Sequence, residues 1–340
     1  MHVLVATDAW HPQINGVVRS LEHLASEAPS FGADIAFLTP SDFRSMPMPG
    51  YREIRLALAR PEAIRRAISA ARPDAVHIAT EGPVGWMARY VCRTEGYPFT
   101  TSYHTRFPEY LAARLPVPLN WSYAALRRFH NSSAGTMVGS PTLERDLKVR
   151  GFSRLMRWSR GVNADLFRPR CERPLTFPKP VFLFVGRLAV EKNIESFLKL
   201  DLPGSKVVVG DGPLRAKLEE RFSEAYFLGT RTGEALAAVY ASADVMVFPS
   251  LTDTFGMVIL EALACGLPVA AFPVMGPIDV IGTSGCGCLD ADLRRAALRA
   301  LDISRDKCRA YALTFTWQDS VRQFLDNITR ARSVFTGAAI

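Results

Sequence analysis

Several absences narrow the reading before any motif is considered. The sequence has no apolar run approaching the roughly 18 residues that a bilayer-spanning helix needs. Its first ten residues lack the basic start, apolar middle and cleavage pattern of a secretory leader, so the expected setting is the cytoplasm, with any membrane contact peripheral. The missing leader also argues against an exported two-domain binding protein. Six cysteines (Cys92, Cys171, Cys265, Cys286, Cys288, Cys308) form no repeated Cys-x-x-Cys pairs and stand at no His spacing suited to zinc. Cys286-Gly-Cys288 alone is weak evidence, and no metal and no cofactor are expected. No Gly-x-Gly-x-x-Gly follows either candidate first strand, Val3–Ala6 or Val181–Val185, which disfavours a nicotinamide dehydrogenase.

What is present suits a two-domain globular protein. The 340 residues exceed one typical core and suffice for two. Residues 1–170 hold 22 Lys/Arg against 14 Asp/Glu, whereas residues 171–340 hold 19 of each. The whole excess of positive charge therefore sits on the first half, which points to an anionic surface partner there. Nucleic acid is one such partner in principle.

The most informative stretch is Ala243–Val269. An apolar run ends at Pro249-Ser250, a polar loop ends in Phe255-Gly256, and helix-like Met257–Ala264 stops at Cys265-Gly266. A strand, loop, helix order puts the loop at the carboxyl end of a parallel strand, where the next helix offers free N–H groups to an anion. Glu261 sits in a segment apolar all round, where an unpaired carboxylate is costly. Either a neighbouring loop satisfies it or it accepts two hydroxyls of a ribose.

Elsewhere the rhythm is that of parallel sheets. Val3–Ala6 opens into Thr7–Gly16 and a helix from Val17, with Asn15 as its cap and Gly16 allowing close backbone approach. Asp34–Leu38, Glu53–Leu58 and Ala75–Ile78 read as strands, alternating with helical Pro61–Ala71 and Val84–Cys92. Glu81 and the run His104-Thr105-Arg106 fall at carboxyl ends of strands, the latter after Phe99–Tyr103. Arg106–Ser133 interleaves aromatics, including Trp121 and Tyr123, with Arg106, Arg114, Arg127 and Arg128. Aromatic anchors beside arginines suit an interfacial helix among anionic headgroups, although an amphipathic helix packed on its own domain would look similar.

Thr254-Phe255-Gly256-Met257-Val258-Ile259-Leu260-Glu261-Ala262 resembles the signature of the retaining family-4 glycosyltransferases of the GT-B fold, Glu, seven residues, Glu. Thr254 is placed at the first glutamate position, with Asp253 just before it. The loop wording Thr-Asp-Thr-Phe-Gly is similar to a subgroup that glycosylates membrane lipids, including mannosyl-, glucosyl-, glucuronosyl- and sulfoquinovosyltransferases. Arg187 and Lys192 match the Arg/Lys pair that holds the donor diphosphate in the family, and Asp211 falls in its next strand and turn. His104 matches a histidine often found near the transferred sugar, and Arg160–Phe167 the segment that closes the first domain.

The resemblance implies an α/β fold of two Rossmann-like parallel-sheet domains facing a central cleft. The expected bounds are 1–168 for the acceptor domain, 169–180 for a linker, 181–314 for the donor domain and 315–340 for a helix crossing back. The implied activity is metal-independent, retaining transfer of a hexose or hexuronate from a UDP- or GDP-linked donor to a membrane lipid such as diacylglycerol or ceramide. The donor would meet Gly16, Arg187, Lys192, Asp211, Thr254, Phe255, Gly256, Met257 and Glu261, with His104, Arg187 and Lys192 catalytic. Asp8, Asn15, Glu81 and Arg106 would face the acceptor or cleft, and Trp121, Tyr123, Arg127 and Arg128 an anionic membrane. Nucleic acid is not expected as a partner. A polysaccharide acceptor and a nucleotide-sugar epimerase of the same fold are the alternatives.

Overall fold

In the computed structural model, all residues except Ile14, 49–50, 113–116, 171–174 and 337–340 are described. The expected residues Arg114, Cys171 and part of the 169–180 linker thus lie outside the described residues. The chain forms two compact units, residues 1–160 with 317–340 and residues 161–316.

Unit 1 is built on strands β1 (His2–Ala6), β2 (Asp34–Leu38), β5 (Ala75–Ile78), β6 (Phe99–Tyr103), β7 (Gly135–Val138) and β8 (Leu155–Arg157), with β3 (Ser45–Met48) and β4 (Tyr51–Ala57) apart as a hairpin. The six strands are parallel in the order β2-β1-β5-β6-β7-β8. Side chains alternate across β1: Val3 and Val5 enter one core, Leu4 and Ala6 the other. Both faces are buried, so the strand reads as a continuous apolar run.

One expected strand is placed differently. The stretch expected as Glu53–Leu58 of the parallel sheet belongs to β4, which pairs antiparallel with β3 outside that sheet. The connection between them is too short for a parallel crossover, which needs a dozen or more residues, so the chain can only fold straight back. Arg55 Nη2 donates to Ser45 O at 2.8 Å across the hairpin.

Unit 2 also has six sheet strands, in a different order: β9 (Val181–Val185), β10 (Ser205–Val209), β11 (Tyr226–Phe227), β12 (Val245–Phe248), β13 (Val269–Ala271) and β14 (Gly287–Leu289). Their order is β11-β10-β9-β12-β13-β14, again parallel. Val181, Leu183 and Val185 face one core, Phe182 and Phe184 the other. Truncating buried Phe182 to Ala would cost about 3–5 kcal/mol. In each sheet the order reverses beside the unit's first strand, β1 or β9, which places the loops after these strands at switch points.

The unit boundary falls eight residues before the expected one. Residues 161–168 pack with unit 2: Val162 N–H donates to Phe315 O at 3.0 Å, and Arg309 donates to Ala164 O and Phe167 O. The final helix, Trp317–Thr336, belongs to unit 1. There Trp158 Nε1 donates to Ser320 Oγ and Asn327 Nδ2 to Arg157 O, while Phe324 lies against Trp158 and His77.

Candidate functional site

In unit 2 the loops after β9 and β12 are tied together. Gly186 follows β9, and Gly210, at φ +136°, passes so close that a Cβ there would stand 1.9 Å from Gly186 O. Arg187 is half-buried just after the strand, and Lys192 ends a short 3-10 turn, Val190–Lys192. Lys192 Nζ donates to Asp253 Oδ1 at 2.6 Å, with both side chains mostly buried. Asn193 Nδ2 donates to Pro249 O, and the hydroxyls of Ser250 and Thr252 donate to Glu191 O. The second oxygen of Asp253 is enclosed without a hydrogen-bond partner among the described residues.

This geometry corrects the register expected for the signature. Residues 254–260 are the seven between Asp253 and Glu261, so the first carboxylate position is Asp253 and not Thr254. Asp253 is also the residue that meets Lys192, while Thr254 is its half-buried neighbour beside Phe255.

Gly256 turns the chain into the helix Met257–Ala264 at φ 89°, in the left-handed region that favours glycine. No side chain caps this helix, so its first N–H groups and positive dipole end, beginning at Met257, are available to an anion. Glu261 is 3% exposed and accepts a hydrogen bond from Tyr240 Oη at 3.0 Å. The donor is a helix residue rather than a loop, and Tyr240 was not legible as its partner because 21 residues separate them. Asp211 is exposed; its carboxylate accepts from Gly212 N–H, which chiefly lowers its pKa, and from Arg215. Its contacts therefore hold its own turn.

In unit 1, Asp8 proves to be a structural cap. Its Oδ1 accepts from Val84 N–H at 2.8 Å, and its Oδ2 from Gly85 N–H and Thr80 Oγ1. The two backbone N–H groups are first-turn donors of the helix Pro83–Glu95, which has no side-chain hydrogen bond from its own N-cap residue, Gly82. Burial raises the Asp8 pKa, and the two backbone N–H bonds oppose the rise. Both oxygens are thus engaged within the domain, which gives Asp8 a structural role at the carboxyl end of β1. Asn15 caps the helix Gly16–Glu27 as expected, Oδ1 accepting from Val17 and Val18 N–H.

His104 follows β6. Its Nδ1 accepts from Arg160 Nη2 at 2.9 Å, and Arg160 also donates to Trp158 O and Ser159 O while lying 4.1 Å over the Trp158 ring. Burial, then the Arg160 charge, pushes the His104 pKa well below the usual range. The imidazole is therefore neutral, and with Nδ1 accepting, its proton resides on Nε2. Burial alone lowers Arg160 to about 9. Arg160 went unread as a site residue because 56 positions separate it from His104. Glu81 Oε1 meets buried His130 Nε2 at 3.0 Å, and Arg106 donates to Glu109.

The helix Leu119–His130 divides the residues expected at a membrane. Trp121 is 74% exposed, and Arg127 and Arg128 are exposed. Tyr123 is buried with Leu126, Phe129 and His130 on the core stripe, its hydroxyl donating to Glu109 and its ring under the Arg150 guanidinium. Its expected membrane contact is therefore withdrawn, because helical periodicity turns position 123 inward. Among the described residues no helix is long and apolar enough to cross a membrane.

Residues 14–166 match the family described as Glycosyltransferase Family 4, and residues 179–305 that described as Glycosyl transferases group 1. A GDP-mannose-dependent alpha-mannosyltransferase of Mycobacterium tuberculosis is 32% identical over 316 residues, 85% of this chain and 83% of that protein. Sulfoquinovosyl transferase SQD2 of Arabidopsis thaliana is 34% identical over 258 residues, 70% of this chain; the chain spans half the length of that relative. Among solved structures, a sucrose-phosphate synthase from Thermosynechococcus elongatus superposes with a TM-score of 0.78 over 99% of both chains at 21% identity. HepE of Anabaena, solved with UDP-glucose, gives 0.72 over 97% of this chain and 99% of its own, at 13% identity. At those identities the likeness is one of fold, and the fold is GT-B. With both halves matched and a relative of similar length at 32% identity, the chain belongs to the family-4 glycosyltransferases.

Proposed function

We propose that this nucleotide-sugar-dependent glycosyltransferase moves a hexose or hexuronate from a UDP- or GDP-linked donor to a hydroxyl of a membrane lipid, with retention and without a metal. The observation that carries the donor assignment is the Lys192–Asp253 pair beside the uncapped helix at Met257. The diphosphate takes Arg187, Lys192 and the helix N–H groups as counter-charges, which stabilise the negative charge that grows as it departs. The enclosed second oxygen of Asp253 accepts a hydroxyl of the transferred sugar, and Glu261, oriented by Tyr240, accepts the ribose hydroxyls. His104, neutral with its proton on Nε2, acts as a hydrogen-bond donor to the sugar rather than as a base. The bond from C1 to the diphosphate oxygen breaks as the acceptor oxygen bonds to C1 on the same face. The acceptor proton passes to the departing phosphate oxygen.

The lipid acceptor and an anionic membrane surface are assigned to unit 1. The supporting features are exposed Leu119, Trp121, Arg127 and Arg128 on one helix and the charge excess of the first 170 residues. The relatives include a sulfoquinovosyl transferase and a phosphatidylinositol dimannoside mannosyltransferase. The test is slow hydrolysis of UDP-glucose, UDP-glucuronate and GDP-mannose by the purified chain with and without EDTA, followed by transfer to dioleoylglycerol, ceramide and a soluble polysaccharide. Hydrolysis of one donor in EDTA and transfer to a lipid is expected. Transfer to the polysaccharide alone would overturn the lipid assignment.

A further inference from the structure

Buried polar atoms are nearly always hydrogen-bonded, so several unpartnered ones in one place point to something that binds there. Unit 1 has such a place at the carboxyl end of β6. Glu109 Oε1 accepts from Arg106 Nη2 and from Tyr123 Oη, which fixes the carboxylate. Its other oxygen, Oε2, and Arg106 Nε are enclosed without a hydrogen-bond partner among the described residues, and the enclosed hydroxyl of Tyr103 meets only Tyr123. Tyr103 is 1% exposed, and burial, with Tyr123, Glu81 and Glu109 nearby, holds its phenol protonated. The unused groups are one N–H donor and one carboxylate acceptor, and the Tyr103 hydroxyl, beside Tyr123, keeps a lone pair able to accept.

We infer that Tyr103, Arg106 and Glu109 form a subsite for a neutral polyol, the head of the glycosyl acceptor. The inference rests on the transferase reading above and narrows its acceptor class. Neighbouring hydroxyls match the set: one donates to Glu109 Oε2 while accepting from Arg106 Nε, and the next donates to the Tyr103 oxygen. A phosphate does not match, because it has no hydroxyl hydrogen for Glu109 Oε2 when ionised and meets that carboxylate as a like charge. A simple diacylglycerol, with one hydroxyl, satisfies only part of the set. The acceptor is accordingly a molecule that already bears a sugar or similar polyol.

The test uses the full chain and two variants, Tyr103→Phe and Glu109→Gln. Tyr103→Phe keeps the buried ring and removes only a hydroxyl whose one contact is Tyr123, so its melting temperature should stay within a few degrees of the parent, and a melt measured beside each assay excludes misfolding as an explanation. Saturation-transfer NMR with methyl α-glucopyranoside reads occupancy without turnover, and its signal should fall at least threefold in each variant. In transfer assays, vesicles of monoglucosyl-dioleoylglycerol should outperform dioleoylglycerol. Acceptor KM should rise about 3–10-fold in Tyr103→Phe and tenfold or more in Glu109→Gln, the scale of neutral and charged hydrogen bonds. Donor hydrolysis without acceptor should stay within about twofold of the parent, since neither residue belongs to the donor site. Transfer to free methyl glucoside but not to the glycolipid would keep the subsite and make its ligand a free sugar. Variants that bind and transfer like the parent would overturn the subsite and leave the enclosed atoms to water. A parent that binds the glucoside but hydrolyses no nucleotide sugar would overturn the transferase reading while the subsite stood.

Discussion

Each unit is built on a six-stranded parallel sheet, with one strand before the first strand in unit 1 and two in unit 2, and the two are filled differently. In unit 2 the described core is almost wholly apolar, and Glu261 is the one buried charged side chain. In unit 1, Thr100, Thr101 and Ser102 bring three consecutive polar residues into the buried strand β6, joined by His77, His130, Ser133 and Thr136. His77 lies between Thr100 Oγ1 and Ser102 Oγ, and His130 links Thr101 to Glu81. All six histidines and all five tryptophans lie in unit 1. The difference teaches that one kind of sheet, six parallel strands buried on both faces, supports two kinds of interior. Unit 2 offers backbone dipoles and a fixed ion pair over an apolar core, and unit 1 a buried network of hydroxyls and imidazoles in which burial holds His77 neutral.

The largest expected effect tests the electrostatic side of this contrast. Arg187→Ala and Lys192→Ala should each lower turnover by about two to three powers of ten, the scale for losing a charge-stabilising donor, with EDTA having little effect. Lys192→Ala also takes from Asp253 its ion-pair partner, so any loss of thermal stability, though not of turnover, should be partly recovered in Lys192→Ala/Asp253→Asn. Turnover that depends strictly on added magnesium or manganese would remove the metal-free account.

Next in size is the surface of unit 1. Replacing Arg127 and Arg128 by Ser and Trp121 by Ala should weaken flotation with anionic vesicles by about thirtyfold or more, at roughly 1 kcal/mol per basic residue. Nucleotide binding should be unchanged. Equal flotation of variant and parent would show that the helix does not meet the bilayer.

Acid should break the symmetry between the units. Burial holds His77 neutral, with a pKa lowered from 6.5 to about 3, and lowers His104 in the same direction. Between pH 6.5 and about 3 these histidines therefore bind more protons in the unfolded chain than in the folded one, so their contribution to stability falls as pH drops through this window. Each such histidine contributes up to about 1.4 kcal/mol per pH unit. Tryptophan fluorescence reports on unit 1 alone and should change at a higher pH than the far-UV circular dichroism of the whole chain. His77→Gln should shallow that dependence; coincident transitions in parent and variant would count against it.

The smallest effect separates neighbouring residues in unit 2. Asp253→Asn should reduce kcat/KM strongly, whereas Thr254→Ala should change it by only about twofold, as for a position outside the ion pair. A donor ranking among UDP-glucose, UDP-glucuronate and GDP-mannose that follows position 254 instead would return the sugar contact to the threonine.

Local patterns alone determined much of this protein. Period-two and apolar runs located β1, β2, β5, β6, β9 and β12, and turn chemistry bounded the helix Met257–Ala264 and its Gly256 entry. Asn15 was legible as a cap because its partners lie two and three residues away. The tertiary structure alone decided the long-range pairs: Lys192 with Asp253, Tyr240 with Glu261, His104 with Arg160, and Asp8 with the helix starting at Pro83. It also turned β4 back on β3, turned Tyr123 inward and assigned residues 161–168 to unit 2. The physical reason is range. Backbone propensity and turn geometry act over a few residues, whereas a buried charge or hydroxyl is satisfied by whichever distant segment packing brings within 3 Å, and only the assembled sheet determines that.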